Sequence, residues 1–104
     1  MTARRRLPNR RPALSFGFES GGFDYVATVT FFPTGELAEV FLTNGKVGSG
    51  SDTAARDSAV VCSIALQYGV PVETIRHALL RNADGSASGP LACALDHLAR
   101  EDVP

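Results

Sequence analysis

The chain has 104 residues, of which 44% are hydrophobic and 20% charged, and its net charge is −1. That length and balance suit one globular domain with a single modest core. They exclude a second large domain within these residues, and no apolar run reaches the roughly 18 residues that span a bilayer.

The net charge conceals an asymmetry. Arg4, Arg5, Arg6, Arg10 and Arg11 are five of the ten basic residues, and all eleven acidic residues follow residue 12. Residues 13–104 therefore hold five basic and eleven acidic groups, a net of −6. The sequence divides into a basic, flexible arm over 1–12 and a single acidic domain over 13–104. Such an arm suits nucleic acid or an acidic partner surface, or it folds back weakly on its own body. No apolar segment follows the arginines as a secretory signal requires, so a cytoplasmic location is expected. Cys62 and Cys93 lack CxxC spacing and read as reduced, buried thiols.

In chain order, Leu14, Phe16 and Phe18 alternate with Ser15, Gly17 and Glu19, which predicts a first strand. Ser20-Gly21-Gly22 is a turn. Residues 23–32 are rich in β-branched and aromatic side chains and predict a second strand. Pro33-Thr34-Gly35-Glu36 is a tight turn, and Leu37–Leu42 is a third strand. A glycine-rich loop, 44–51, leads to a helix over about 53–68 with Asp52 or Ser51 as its cap. Ala55, Ala59, Cys62 and Leu66 form its buried stripe. Val60 and Ile64 flank the stripe and suggest a helix covered on most sides. Gly69 stops it. Pro71 opens a second helix with Val72, Ile75 and Leu79 inward. After the loop 82–89, Pro90 opens a third helix to about Arg100, with Ser88 as its cap. The expected fold is α+β: a three-stranded antiparallel meander followed by three helices packed on one face of the sheet.

Several blocks carry a family resemblance. They are Leu7-Pro8-Asn9-Arg10-Arg11, Phe32–Leu42, Lys46 with Gly48-Ser49, Ala55–Val60, Ser63–Pro71 and Gly85–Leu91. In their order and spacing the chain resembles the TSCPD domain, a module at the C-terminus of cobalamin-dependent ribonucleotide reductases that also occurs free-standing. The match is closer to the free-standing branch. The resemblance implies a role in nucleotide metabolism and DNA synthesis, with a ribonucleotide reductase as candidate protein partner. The Thr-Ser-Cys-Pro-Asp string that names the family is replaced here by Ser88-Gly89-Pro90-Leu91, so no metal or redox role of its cysteine carries over. Reductase catalysis needs a radical-bearing cysteine, a dithiol pair and a barrel, and two helical cysteines in 104 residues do not supply them. No independent enzyme activity is expected.

The candidate chemistry lies in the loop. Lys46, Gly48, Ser49, Gly50 and Ser51 lead into a helix N-terminus, with Arg56 one turn on. Backbone N–H groups there favour a phosphate, so a nucleotide-like anion is the expected ligand. The order is not that of a Walker A loop, and Asp52 would repel an anion placed beside it. Cys62, Cys93, His77 and His97 fit no common zinc spacing, so neither metal nor cofactor is expected. Arg56 is expected to pair with Glu36 or Glu39. An alternative function comes from the two helices around Tyr68-Gly69-Val70-Pro71, which resemble a helix-turn-helix. The second would present Arg76, His77 and Arg81, and with the arm would make a small DNA-binding regulator or mobile-element counter-defence inhibitor. A homodimer is a third expectation, since apolar residues on both faces of the second strand exceed what three helices cover.

Overall fold

The computed structural model describes residues 3–100; the first two residues of the expected arm and residues 101–104 of the expected domain lie outside them. Three strands, β1 (Ala13–Ser20), β2 (Phe23–Phe31) and β3 (Leu37–Thr43), pair antiparallel in the order β1-β2-β3. Helices α1 (Gly50–Gln67), α2 (Val72–Ala78) and α3 (Pro90–Ala99) follow. This is the expected α+β meander and three helices. Among the described residues no helix is long and apolar enough to cross a membrane.

The strand pairing follows from the turns. Gly21 and Gly22 both have positive φ, 59° and 85°. A two-residue hairpin with that twist needs glycine-like freedom at both positions. The register then sets Phe16 opposite Ala27 and Phe18 opposite Tyr25. Val29 faces Val40, and Ala27 faces Leu42. These side chains share one face, and Ala27, Val29 and Val40 are fully buried. An irregularity between Thr30 and Phe31 ends the regular alternation. Ser15, Thr28, Thr30 and Glu39 take the other face, where Ser15 and Thr28 hydrogen-bond at 2.8 Å and Thr30 donates to Glu39 at 2.7 Å.

The core lies between the sheet and α1 and α3. Ala55, Ala59, Cys62 and Leu66 of α1 meet Leu91, Ala94 and Leu95 of α3 there. Truncating a side chain as buried as Leu95 typically costs about 2–5 kcal/mol. α2 contributes Val72 and Ile75 only at the margin.

α1 lies beside β3, one of the two edge strands, and closes it. Ser63 Oγ accepts from the Val40 N–H at 2.8 Å and donates to the Val40 carbonyl at 3.0 Å. Gln67 Nε2 donates to the Ala38 carbonyl at 3.2 Å. The arm is laid on the same seam. Arg4 Nε donates to Gln67 Oε1 at 2.7 Å, and the Arg5 N–H donates to the Gln67 carbonyl at 2.7 Å. Residues 3–12 therefore run along the body rather than away from it.

Three local expectations are corrected. α1 begins earlier, with Ser49 as its cap, because the Ser49 Oγ reaches the Asp52 N–H at 3.2 Å. α3 is capped by Gly89 rather than Ser88, whose hydroxyl donates to Asn82 instead. α1 is not covered on most sides. Val60, Ile64 and Tyr68 are exposed, and Val61 is 68% exposed. The helix lies along an edge, so only one stripe of it meets the core.

Ser63→Ala removes one oxygen and strands two groups of Val40. We expect a loss of about 1–3 kcal/mol, read as a lower urea midpoint at unchanged slope. Val60→Ala, on the exposed side, should stay within about 0.5 kcal/mol. Equal losses in the two variants would refute the edge closure.

Candidate functional site

The loop before α1 brings its expected residues together but turns their polar groups inward. Asp52 is 1% exposed. Its carboxylate accepts from Thr43 Oγ1 and the Asn44 N–H at 2.9 Å each, and from Arg56 Nε at 2.7 Å. The hydrogen bond from Arg56, then that of the Asn44 amide, holds its pKa below the ordinary carboxylate value. Arg56 also reaches Thr43 Oγ1 at 3.1 Å. It pairs with neither Glu36 nor Glu39, as the spacing suggested, because one helical turn sets Asp52 closer. Ser49 Oγ is engaged by Asp52 N–H, and Ser51 Oγ accepts from Asn44 Nδ2 at 2.9 Å. Gly48 has φ of +87° and turns the chain into the helix. Gly50 is the first residue of α1. Of the six candidate residues, Lys46 alone places a charged side chain at the surface without a side-chain partner among the described residues. The loop is thus a self-satisfied joint whose buried group is an anion.

The cations expected to face nucleic acid are similarly engaged. Arg11 bonds Glu39 at 2.7 Å, and Arg5 meets Glu36 at 3.4 Å while lying 3.6 Å over the Phe32 ring. Glu39 is thereby accounted for on its open face. Arg76 bonds Asp96 at 2.8 Å and Glu73 at 3.0 Å. Arg81 Nη2 donates to Asp96 at 2.9 Å. Arg76 and Arg81 therefore clamp α2 and the following turn to α3 and do not project from a recognition helix. Among the described residues, only Arg6 and Arg10 of the arm are exposed arginines without a partner.

Cys62 is buried, and burial pushes its thiol up to about 11. Cys93 is half-buried, with its Sγ 3.8 Å from the Glu19 carbonyl. His97 packs on Phe16 and Phe18 at 5.9 and 5.8 Å. No group of three or more metal-ligating side chains occurs among the described residues.

What the fold does present outward is apolar. Val60, Val61, Ile64 and Tyr68 recur at helical spacing along the outer side of α1. Phe41 on β3, 50% exposed, neighbours two of them, Val60 and Ile64. Phe41, Val60 and Ile64 line a groove of about 310 Å³ between α1 and the strand, with Arg4 and Arg56 at its borders. Sequence reasoning pointed to an open Leu37, Glu39, Phe41 face through Glu39 but did not name Val61 as surface. The usable signal was a helix apolar in all directions over Val60–Leu66, joined to an edge strand that leaves one direction open. Ser63 and Gln67, four residues apart on the buried stripe, were the polar signal for the edge contact.

A family model described as TSCPD domain matches residues 4–100, beginning inside the arm. The chain is also similar to curated proteins named vitamin B12-dependent ribonucleotide reductase. That of Streptantibioticus cattleyicolor is 39% identical over 71 residues, covering 68% of this chain and 12% of the relative. That of Streptomyces coelicolor is 39% identical over the same length, covering 68% and 7%. That of Rhodopirellula baltica is 38% identical over 72 residues, covering 69% and 7%. The chain thus matches a small fraction of each relative's length. No solved structure gives a match.

The Asp96 cluster yields a pH prediction. The hydrogen bond from Arg81, with Arg76 beside it, lowers the Asp96 pKa from 3.8 to about 2. A depressed carboxylate stabilises the fold above its unfolded pKa and ceases to as pH falls through the folded one. Its contribution, about 2 kcal/mol, should be complete above about pH 4 and lost by about pH 2. Asp96→Asn should lower the urea midpoint at pH 7 and flatten its acid decline. An unchanged acid slope would show that other carboxylates govern it.

Proposed function

This chain belongs to the TSCPD domain family, and we propose that it is a non-catalytic binding module that docks on a protein of nucleotide metabolism. The candidate partner is a B12-dependent ribonucleotide reductase. The observation that carries this reading is the exposed apolar stripe Val60, Val61, Ile64 and Tyr68 beside Phe41. A contiguous apolar patch on a small domain marks an interaction site. Aromatic and aliphatic anchors of this type supply most of the energy of a protein interface. The buried thiol of Cys62 and the half-buried Cys93 offer no exposed dithiol pair for reductive chemistry.

The second reading, a nucleotide-like anion at Lys46, Gly48, Ser49, Gly50, Ser51 and Arg56, rests on exposed Lys46 beside the N-terminus of α1. It is the weaker of the two. Asp52 lies under the same turn, and Arg56 is already paired with it.

The test measures binding of the purified chain to the full-length Streptomyces coelicolor reductase by interferometry. Val61→Asp combined with Ile64→Asp should weaken binding about tenfold or more, with the melting temperature little changed. Lys46→Ala should leave it unaltered. In parallel, a thermal-shift series with ADP, dADP and inorganic phosphate reads the second reading, because a ligand specific for the folded state raises its melting temperature. Absence of reductase binding, with a saturable nucleotide shift lost in Lys46→Ala, would reverse the order of the two readings.

A further inference from the structure

A second concavity, about 450 Å³, opens between the first turns of α1, the start of α3 and the segment after α2. It lies apart from the outer stripe of α1. Its walls are Ala54 and Ala55 of α1, Leu79 and Leu80, Leu91 of α3, and Tyr25 from the sheet. Leu80 stands at its lip and is almost fully exposed.

Ser51, Ser58 and Ser88 also line it, but their hydroxyls are engaged within the protein, which leaves two groups of polar donors facing the cleft. The first is the Tyr25 hydroxyl. Tyr25 is 4% exposed, and its ring stacks on Phe18 at 5.7 Å. No hydrogen bond to its hydroxyl is found among the described residues, yet no buried side-chain oxygen in them is sealed off without a partner. The phenol oxygen is therefore not sealed off, and the Tyr25 side chain lines the cleft. A buried hydroxyl in such a position ordinarily has a partner. The second is the N-terminus of α3. Its cap, Gly89, has no side chain to offer, and Pro90 has no N–H. The Cys93 N–H bonds the Gly89 carbonyl at 3.1 Å. Leu91 and Ala92, both lining the cleft, carry the remaining first-turn N–H groups, which no intrahelical carbonyl reaches.

The lining contains no Lys, Arg, His, Asp or Glu. A diphosphate or triphosphate would find no counter-charge there. A single negative charge is favoured by the helix terminus alone, and the volume falls within the range of small-molecule sites. We propose that this cleft binds a small monocarboxylate with an apolar body. Its carboxylate accepts from the Leu91 and Ala92 N–H groups and from the Tyr25 hydroxyl, and its apolar part lies on Ala54, Ala55, Leu79 and Leu91.

The test is a titration of the ¹⁵N-labelled chain with 4-methylpentanoate and phenylacetate, followed by amide shifts. 4-Methylpentanol and AMP serve as comparisons of neutral and phosphorylated heads. The expected result is saturable shifts centred on Ala54, Leu79, Leu91 and Ala92 with the carboxylates, and affinity about tenfold lower for the alcohol. Tyr25→Phe should weaken carboxylate binding about tenfold. Ala54→Phe, a change at an exposed helical position that fills the cleft, should abolish it and keeps the test decisive if Tyr25→Phe folds poorly. No saturable shift with either carboxylate, shifts centred elsewhere, or alcohol and AMP binding as tightly as the carboxylates would each overturn the proposal.

Discussion

The structure depends on how the free edge of β3 is closed. An open three-stranded sheet leaves two edge strands with unpaired backbone groups, which invite pairing with another chain, and β3 is one of them. Here Ser63 satisfies both outward groups of Val40, and Gln67 takes the Ala38 carbonyl. The closure needs a helix near enough for a serine to reach, and Ala55 and Ala59 keep the buried side of α1 small. Gln67 then extends the seam to the arm through Arg4 and Arg5. One helical side chain thus joins the sheet, α1 and the N-terminal segment.

That placement sets the chemistry of the surface. A helix lying along an edge buries one stripe and turns the other outward, so Val60, Val61, Ile64 and Tyr68 are left beside Phe41. The charges have the opposite fate. Arg11 and Arg5 meet Glu39 and Glu36, and the buried carboxylates Asp52 and Asp96 hold Arg56, Arg76 and Arg81. Exposed pairs of this kind add little stability. A buried carboxylate is different, because without its partners it would carry the cost of desolvation unrelieved. Two arm arginines and three body arginines are thus settled against carboxylates, while apolar surface stays exposed on α1 and β3.

The two concavities next to α1 differ accordingly. The groove at Phe41 is lined by Val60 and Ile64 of the exposed stripe, as suits a protein surface. The cleft at Tyr25 combines apolar walls with donors and lacks charged side chains, as suits a small molecule.

Strand alternation, paired hairpin glycines, the stop at Gly69 and the proline opening α3 were enough to establish the meander and three helices, because each acts through its immediate neighbours. The buried stripe Ala55, Ala59, Cys62 and Leu66 was legible for the same reason. The outward stripe was not: periodicity shows that Val60 and Ile64 are apolar but not whether a neighbour covers them. Local sequence also proposed Glu36 and Glu39 as partners for Arg56 and an open anion loop at Lys46–Ser51. Only the tertiary structure delivered Glu39 to Arg11, drew Asp52 under its own helix terminus and folded Arg76 and Arg81 onto Asp96. The Glu39 and Asp96 pairings join residues 15 to 28 positions apart, and Asp52 also draws on Thr43 and Asn44 at the end of β3; only the packed fold sets those distances.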